Sequence, residues 1–333
     1  MTEEALYEPT VSMIAPVLNA EATVKDLLDS LVKVEYNRQK LETIIVDGGS
    51  TDRTREVVAE YPVKLISQAR KGLNAARNVG FESSQGEIVL YTDSDCVVPR
   101  DWVTKMVRNF EAAEVGCAGG NTSRYKDTFL SKYADGSIMP VLRRFRRREV
   151  LDRVEPPLRY PAGCNMAFRR ATIERVGGFD EDIRYGFDED ELVERVCRAG
   201  YKMVLDPETS VKHQHRSSFK EFLEQTFNYG RGGAQLFKKK PKDRIAKWNM
   251  VTLASFASWL VATLLLAFWA ITLSAIFLAP LLLITLVPLL LLTLFYVRRA
   301  ILEKDLAMVV AYPSMDVLRL VAYCFGEIYG LLA

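Results

Sequence analysis

Along the first hundred positions, short apolar runs alternate with stretches whose apolar residues recur at helical spacing. Val11–Asn19 (VSMIAPVLN), Leu41–Gly49 (LETIIVDGG), Val63–Ser67 (VKLIS) and Glu87–Asp95 (EIVLYTDSD) are rich in Val, Ile and Leu, as strands of a buried sheet are. Between them lie ATVKDLLDSLVKV, TDRTREVVAEY and LNAARNVGFESS, which read as helices. Strand and helix in turn predict an α/β domain with a mostly parallel sheet and right-handed crossovers. Such a sheet takes its ligands beyond the C-terminal ends of its strands. The first, second and fourth runs end on Asn19, on DGGSTD (Asp47–Asp52) and on Asp93 and Asp95, so three polar ends converge on one ligand mouth. After Val115 the pattern loosens. VGCAGGNTS fits a further strand, and helix resumes from about Asp188 and again over Ser217–Lys239.

The C-terminal third is patterned differently. Asn249 to Val297 contains no Asp, Glu, Lys, Arg or His, which suffices for two bilayer crossings of roughly 20 residues each. Pro280 and Pro288 argue against one long helix, because each removes a backbone donor. Thr272 and Ser274 place the turn of a hairpin near Ala262–Pro280. Both flanks are basic, KKKPKDRIAKW (Lys238–Trp248) and Arg298–Arg299, and an even number of crossings puts both on the cytoplasmic face. Ala307–Ala333 is apolar but broken by Asp316, Arg319 and Glu327, which suits an interfacial amphipathic helix. The expected organisation is an α/β domain over 1–237, a basic juxtamembrane segment over 238–248, a transmembrane hairpin over 249–297 and an interfacial helical region over 298–333. The acidic start MTEEALYEP shows no signal-peptide pattern. A multi-pass protein of the cell membrane follows, with its α/β domain and both termini cytoplasmic.

Charge and composition narrow the chemistry. A net charge of +2 over 333 residues gives no footprint for nucleic acid. Neither GxGxxG nor GxxxxGK[ST] is present, which removes the dinucleotide and P-loop readings. The five cysteines show no ligand spacing and read as reduced apolar fillers. Arg143–Arg148 (RRFRRR) could face anionic lipid headgroups, an isoprenoid diphosphate or water. Asp93 and Asp95 repel each other unless something neutralises them. A divalent metal shared with phosphate oxygens is one answer, and plain turn chemistry at a strand end is the other. In FDEDEL (Phe187–Leu192), a capping box formed by Asp188 and Glu191 leaves Glu189 and Asp190 unexplained.

Taken in order, APVLNAEATV (Ala15–Val24), IIVDGGSTDRT (Ile44–Thr54), GLNAARNVG (Gly72–Gly80), YTDSD (Tyr91–Asp95), YPAGCNMAFRR (Tyr160–Arg170), GGFDE (Gly177–Glu181) and EDELVERVCRAGY (Glu189–Tyr201) resemble family 2 of the inverting glycosyltransferases, with the GT-A fold. The resemblance covers most of residues 10–215. It implies a nucleotide-diphospho-sugar transferase fold and a nucleotide-sugar donor, with UDP-sugars favoured. Pro16, Asn19, Asp47, Gly48, Asp52, Arg77, Asp93 and Arg231 would form the donor side. Asp47 would lie near the nucleobase. Gly48 stands where many members carry a second Asp. Asp52 could equally cap a helix, and Arg77, beside Asn78, could lie on an ordinary helix face. Arg231 would be a phosphate contact beside flexible glycines. Asp93 and Asp95 resemble the DxD element, with Asp95 the direct ligand of Mg²⁺ or Mn²⁺ and His213 (in KHQH) approaching the metal or diphosphate. Glu189 and Asp190 correspond to the ED pair, with Asp190 as general base and Glu189 its competitor. TFNYGRGGAQL (Thr226–Leu236) lacks the Q-x-x-R-W of processive members, which disfavours a long-polymer synthase.

The function this implies is metal-dependent, inverting transfer of a sugar to a hydroxyl of a membrane lipid or lipid-linked glycan. Two alternatives are a transferase acting on a polyprenyl phosphate, which needs no strong base, and a non-catalytic membrane adaptor that keeps the fold.

Overall fold

The computed structural model describes residues 7–138, 144–155 and 159–333, apart from the side chains at 252, 255, 256, 259, 260 and 275. Arg143, the first residue of the basic run, lies outside these described residues. The chain divides into two units, Met1–Ser131 with Leu142–His215, and Lys132–Val141 with Arg216–Ala333.

In the first unit the strands are β1 (Val11–Val17), β2 (Leu41–Asp47), β3 (Lys64–Ser67), β4 (Ile88–Tyr91), β5 (Cys96–Val97), β6 (Val115–Arg124), β7 (Glu149–Leu151), β8 (Met166–Arg169) and β9 (Lys202–His213). The helices are α1 (Val24–Leu31), α2 (Thr54–Ala59), α3 (Leu73–Glu82), α4 (Trp102–Val107), α5 (Phe129–Gly136, which runs on past Ser131), α6 (Arg170–Val176) and α7 (Asp188–Arg198). All seven residues of β1 are buried, as a central strand covered on both faces requires. On one face Val24, Leu27, Leu28 and Leu31 of α1 share a core with Met13, Ala15, Trp102, Met106 and Phe110. On the other, α3 comes so close that a Cβ at Gly80 would sit 2.4 Å from Ile14 Cγ2.

The sheet runs β3-β2-β1-β4-β8-β6-β9-β5, with β7 also paired to β9. The first four strands are parallel, as the alternation predicts. The expectation of a mostly parallel sheet fails beyond β4. Strand β8 runs antiparallel to both β4 and β6, and β5 and β7 run antiparallel to β9, while β6 and β9 are parallel. The sheet is mixed. The regular strand–helix alternation that implies parallel crossovers ends at β4: among the described residues β5 follows β4, and β8 follows β7, with no helix between.

The strand order also fixes where a ligand sits. From β1 the chain moves outward to β2 and β3, then returns to place β4 on the opposite side of β1. This reversal opens a crevice beyond the C-terminal ends of β1 and β4.

The second unit holds α8 (Phe219–Lys239), α9 (Arg244–Thr272), α10 (Ala275–Glu303) and α11 (Ala307–Leu332). The turn between α9 and α10 falls at Leu273 and Ser274, with Leu273 left-handed at φ 52°, inside the span expected for a hairpin. Among the described residues two helical stretches are long and apolar enough to cross a membrane, Ile276–Glu303 and Ala307–Leu332, and Val261–Thr272 is a shorter apolar one. Leu264, Ile271, Ile276, Leu283 and Leu291 are all exposed, a continuous apolar surface that water does not favour.

The charges of α11, Asp316, Arg319 and Glu327, turn inward. Asp316 accepts hydrogen bonds from Tyr133 Oη (2.7 Å) and from Tyr296. Arg319 donates to Thr226 Oγ1 (3.1 Å) and Ser137 Oγ (3.2 Å).

Candidate functional site

The crevice is lined by the loops that leave β1, β2 and β4. After β1, Asn19 is left-handed (φ 47°), a conformation Asn tolerates better than most residues. Its Oδ1 accepts from the Thr51 amide (2.8 Å), and its own amide donates to Ser50 Oγ (3.0 Å). Pro16 is buried in β1, opposite Val46. The loop after β2 begins with Gly48, whose amide donates to Val17 O (2.8 Å). Asp52 fastens the two loops, accepting from the Glu21 amide (3.1 Å) and the Thr54 amide (3.0 Å). Asp52 thus holds the start of α2 from the position before its N-cap residue, Arg53, rather than as the N-cap itself.

Asp47 ends β2 with its side chain buried. It accepts from the Ser50 amide (3.1 Å) and from Arg55 Nη1 (2.8 Å). Burial alone would raise its pKa, but the Ser50 and Arg55 hydrogen bonds prevail and hold the carboxyl below the usual carboxylate range.

The two readings of DSD prove compatible. The Cys96 amide donates to Asp93 O (3.1 Å), closing a tight turn over Asp93–Cys96. That turn also sets the two carboxylates to different tasks. Asp93 faces Arg77 Nη2 at 3.4 Å, whereas Asp95 Oδ1 lies 3.4 Å from His213 Nε2. Burial raises the pKa of Asp93 most, and Asp95 adds to this, against the attraction of Arg77.

Arg77 is only 2% exposed, so the ordinary-helix-face reading fails for it. From α3 its guanidinium pairs with both Asp93 and Asp188 and lies over the Phe179 ring, 5.2 Å from its centre. Burial opposes its charge, but Asp188, Asp93 and Glu189 hold it firmly protonated. Because Asp188 opens α7, this one side chain ties the end of β4 to the helix start that carries Glu189 and Asp190. Glu189 is half-buried and Asp190 buried.

The expected capping box does not form. Phe187 is the left-handed N-cap residue and α7 has no side-chain cap. Asp188 is drawn to Arg77, and Glu191 accepts from Arg195 at 2.7 and 2.8 Å. Arg195 in turn donates to Val176 O and Gly178 O (both 2.5 Å), which fixes the GGFDE loop. The same loop is held from α3, where Asn74 Nδ2 donates to Asp180 O (2.9 Å) and Ile183 O (2.8 Å), and Asn78 exchanges hydrogen bonds with Phe179. The only signal in the sequence for Asn74 is its place in GLNAARNVG. Arg231 belongs to the second unit, where it lies over the Tyr329 ring at 4.8 Å.

A hard divalent cation fits the Asp95–His213 pair. A carboxylate and an imidazole stand together there, both partly exposed (21% and 16%), leaving the remaining positions open to phosphate oxygens and water.

The profile described as "Glycosyl transferase family 2" matches residues 12–177, and that described as "N-terminal domain of galactosyltransferase" matches residues 146–217. Among curated sequences, "Glycosyltransferase AglE" of Haloferax volcanii is 28% identical over 255 residues, spanning 74% of this chain and 79% of its own. "Probable glycosyltransferase YdaM" of Bacillus subtilis is 27% identical over 256 residues, 70% of this chain and 59% of its own. Among solved structures, the mannosyltransferase PcManGT of Pyrobaculum calidifontis, in complex with GDP-Man and Mn²⁺, superposes with a TM-score of 0.67 at 22% identity, covering 98% of this chain and 88% of that one. TarS (1–349) of S. aureus in complex with UDP-GlcNAc gives 0.53 at 15% identity over 96% and 90% of the two chains. The fold and the order of the site elements are those of a GT-A-like glycosyltransferase. The chain belongs to glycosyltransferase family 2, and its C-terminal apolar helices are of the kind that anchor a protein to a membrane.

Proposed function

We propose that the protein transfers a sugar, with inversion, from a nucleotide diphosphate sugar to a hydroxyl of a membrane lipid or lipid-linked glycan. The observation that carries this reading is the buried Arg77 bridge, which brings Asp93 of the DxD turn and the start of α7 to one place. The donor's base lies by Asp47 and Gly48, with Pro16, Asn19 and Asp52 shaping the loops around it, and its diphosphate lies by Asp95. UDP is the favoured nucleotide. Mg²⁺ or Mn²⁺ would be held by Asp95 and His213 and would stabilise the charge on the departing diphosphate. The acceptor oxygen attacks the anomeric carbon as the carbon–oxygen bond to the diphosphate breaks. Asp190, with Glu189 beside it, takes the acceptor's proton.

A lipid-borne acceptor is supported by the exposed apolar surface of α9 and α10. In the same reading 1–237 is the catalytic domain, 238–248 the basic juxtamembrane segment and 249–297 the hairpin, with the domain and both termini cytoplasmic. The test crosses a panel of nucleotide sugars with native membrane lipids and reads the linkage by mass spectrometry. A glycosidic (acetal) bond to the acceptor's former hydroxyl oxygen is expected. A sugar on a phosphate oxygen would overturn the acceptor assignment in favour of a polyprenyl phosphate. Asp95→Asn, which keeps shape and removes charge, should lower transfer by at least about tenfold, equivalent to roughly 1.4 kcal/mol of barrier.

A further inference from the structure

All five cysteines are free and buried, as apolar fillers would be, but two of them have company that the sequence concealed. The Sγ atoms of Cys96 and Cys164 and a ring nitrogen of His213 lie within 4.8 Å of one another. The backbone holds all three in place. Cys96 of β5 is the register partner of His213 of β9. Cys164 sits in a tight turn closed by the Asn165 amide donating to Ala162 O (2.9 Å). Asn165 is itself anchored, accepting from Trp102 Nε1 (2.9 Å) and donating to Asn121 O (2.8 Å) and Thr209 O (3.1 Å). Asp95 Oδ1 adjoins the group, 3.4 Å from His213 Nε2 and 3.9 Å from Cys96 Sγ.

We propose that Cys96, Cys164 and His213 form a site for a borderline-soft divalent cation, Zn²⁺ above all, with Asp95 or water as the fourth ligand. Two thiolates and an imidazole select Zn²⁺ over Mg²⁺ and Mn²⁺, which prefer oxygen. Around a tetrahedral zinc with Zn–S near 2.3 Å, sulfur ligands stand roughly 3.8 Å apart. A spacing within 4.8 Å therefore needs side-chain closure of at most about 1 Å on fixed strands. Each coordinating thiol releases its proton to solvent as the metal binds. His213 and Asp95 are the residues assigned above to the hard cation, so the two cations exclude each other and Zn²⁺ inhibits the transferase. That inhibition rests on the proposed function, whereas the site itself does not.

The test uses the full chain in detergent, reduced, stripped of metal and titrated with Co²⁺. A stoichiometric thiolate-to-cobalt charge-transfer band in the near ultraviolet is expected, abolished by Zn²⁺ and untouched by Mg²⁺. Cys96→Ala and Cys164→Ala should weaken Zn²⁺ binding at least about tenfold. The partly exposed His213→Gln, which spares the buried core, should do the same. Cobalt uptake without the band, Zn²⁺ affinity unchanged in Cys164→Ala and His213→Gln, or a Cys96–Cys164 disulfide that forms in air while metal is refused would each overturn the site. Zn²⁺ inhibition of transfer should shift to at least about tenfold higher concentration in Cys164→Ala. A cobalt band in a chain that transfers no sugar would sink the functional reading and leave the metal site standing.

Discussion

Two neighbouring carboxylates are assigned different tasks at the start of α7. Asp190 as base should act only as the acceptor hydroxyl loses its proton, so Asp190→Asn should cut single-turnover transfer severely while donor affinity stays near wild type. Glu189→Gln should be milder. Calorimetry of donor binding beside single-turnover kinetics separates the cases. Turnover retained in Asp190→Asn points to a phosphate acceptor, and lost donor binding makes the residue part of the donor site. Arg77 is a positioning residue with a structural cost attached. Arg77→Met would leave Asp188, which is 4% exposed, facing no guanidinium. Breaking a buried pair in this way costs about 3–5 kcal/mol, readable as a lower denaturant midpoint. A midpoint within error of wild type would show that the pair contributes nothing to the fold.

At the scale of elements, α8 and α11 touch through glycines. A Cβ at Gly326 would lie 2.0 Å from Phe227 O, and one at Gly230 would lie 2.0 Å from Tyr323 O. Neither obstacle is a flexible side chain, so the helices must separate to admit even a methyl group. Gly326→Ala is expected to loosen this pair and lower the thermal midpoint of the detergent-solubilised protein, with Gly136→Ala, whose nearest neighbour is 3.5 Å away, as the tolerant control. Equal midpoints in the two variants would refute the close approach. The pairing also bears on α11. Its partner carries Lys220, Glu221, Glu224, Lys238 and Lys239 and is too polar to span a bilayer. A helix bound along α8, with Asp316 and Arg319 hydrogen-bonded inside, is what we propose for the interfacial region over 298–333.

For the molecule as a whole, the hairpin reading sets both basic flanks on one side of the membrane. Single cysteines placed at Lys239 and at Arg298, in a chain freed of its native thiols, should be labelled from the same face of sealed vesicles. Labelling from opposite faces would rule out the hairpin. A third cysteine at Ala333 tests the interfacial assignment of α11, which predicts labelling from that same face. The two units place different demands on their surroundings. The first has its apolar residues gathered in a buried core around β1, while the second exposes Leu264, Leu283 and Leu291, a surface consistent with a membrane anchor.

What the sequence determined by itself was local and periodic. The strands β1 to β4 with the helices between them, the charge-free stretch from Asn249 to Val297 and its turn at Leu273–Ser274 were all legible, because burial forces period and composition on consecutive residues. The DxD turn and the Glu189–Asp190 pair were visible because their residues are neighbours in the chain. The tertiary structure decided whatever depends on distant residues meeting. The antiparallel β8 could not be read, since its four residues Met166–Arg169 are too few to show a period and strand direction is set by the connection. The capping box at Asp188 was reasonable locally, but Arg77, 111 positions away, competes for the same carboxylate, and a buried guanidinium holds it more strongly than backbone amides at a helix end. Asp316 and Arg319 looked like surface charges because their partners Tyr133 and Thr226 are remote in the chain. Cys96 and Cys164 looked scattered for the same reason. Side-chain pattern shows which residues a strand buries, and only the packed fold shows which of them touch.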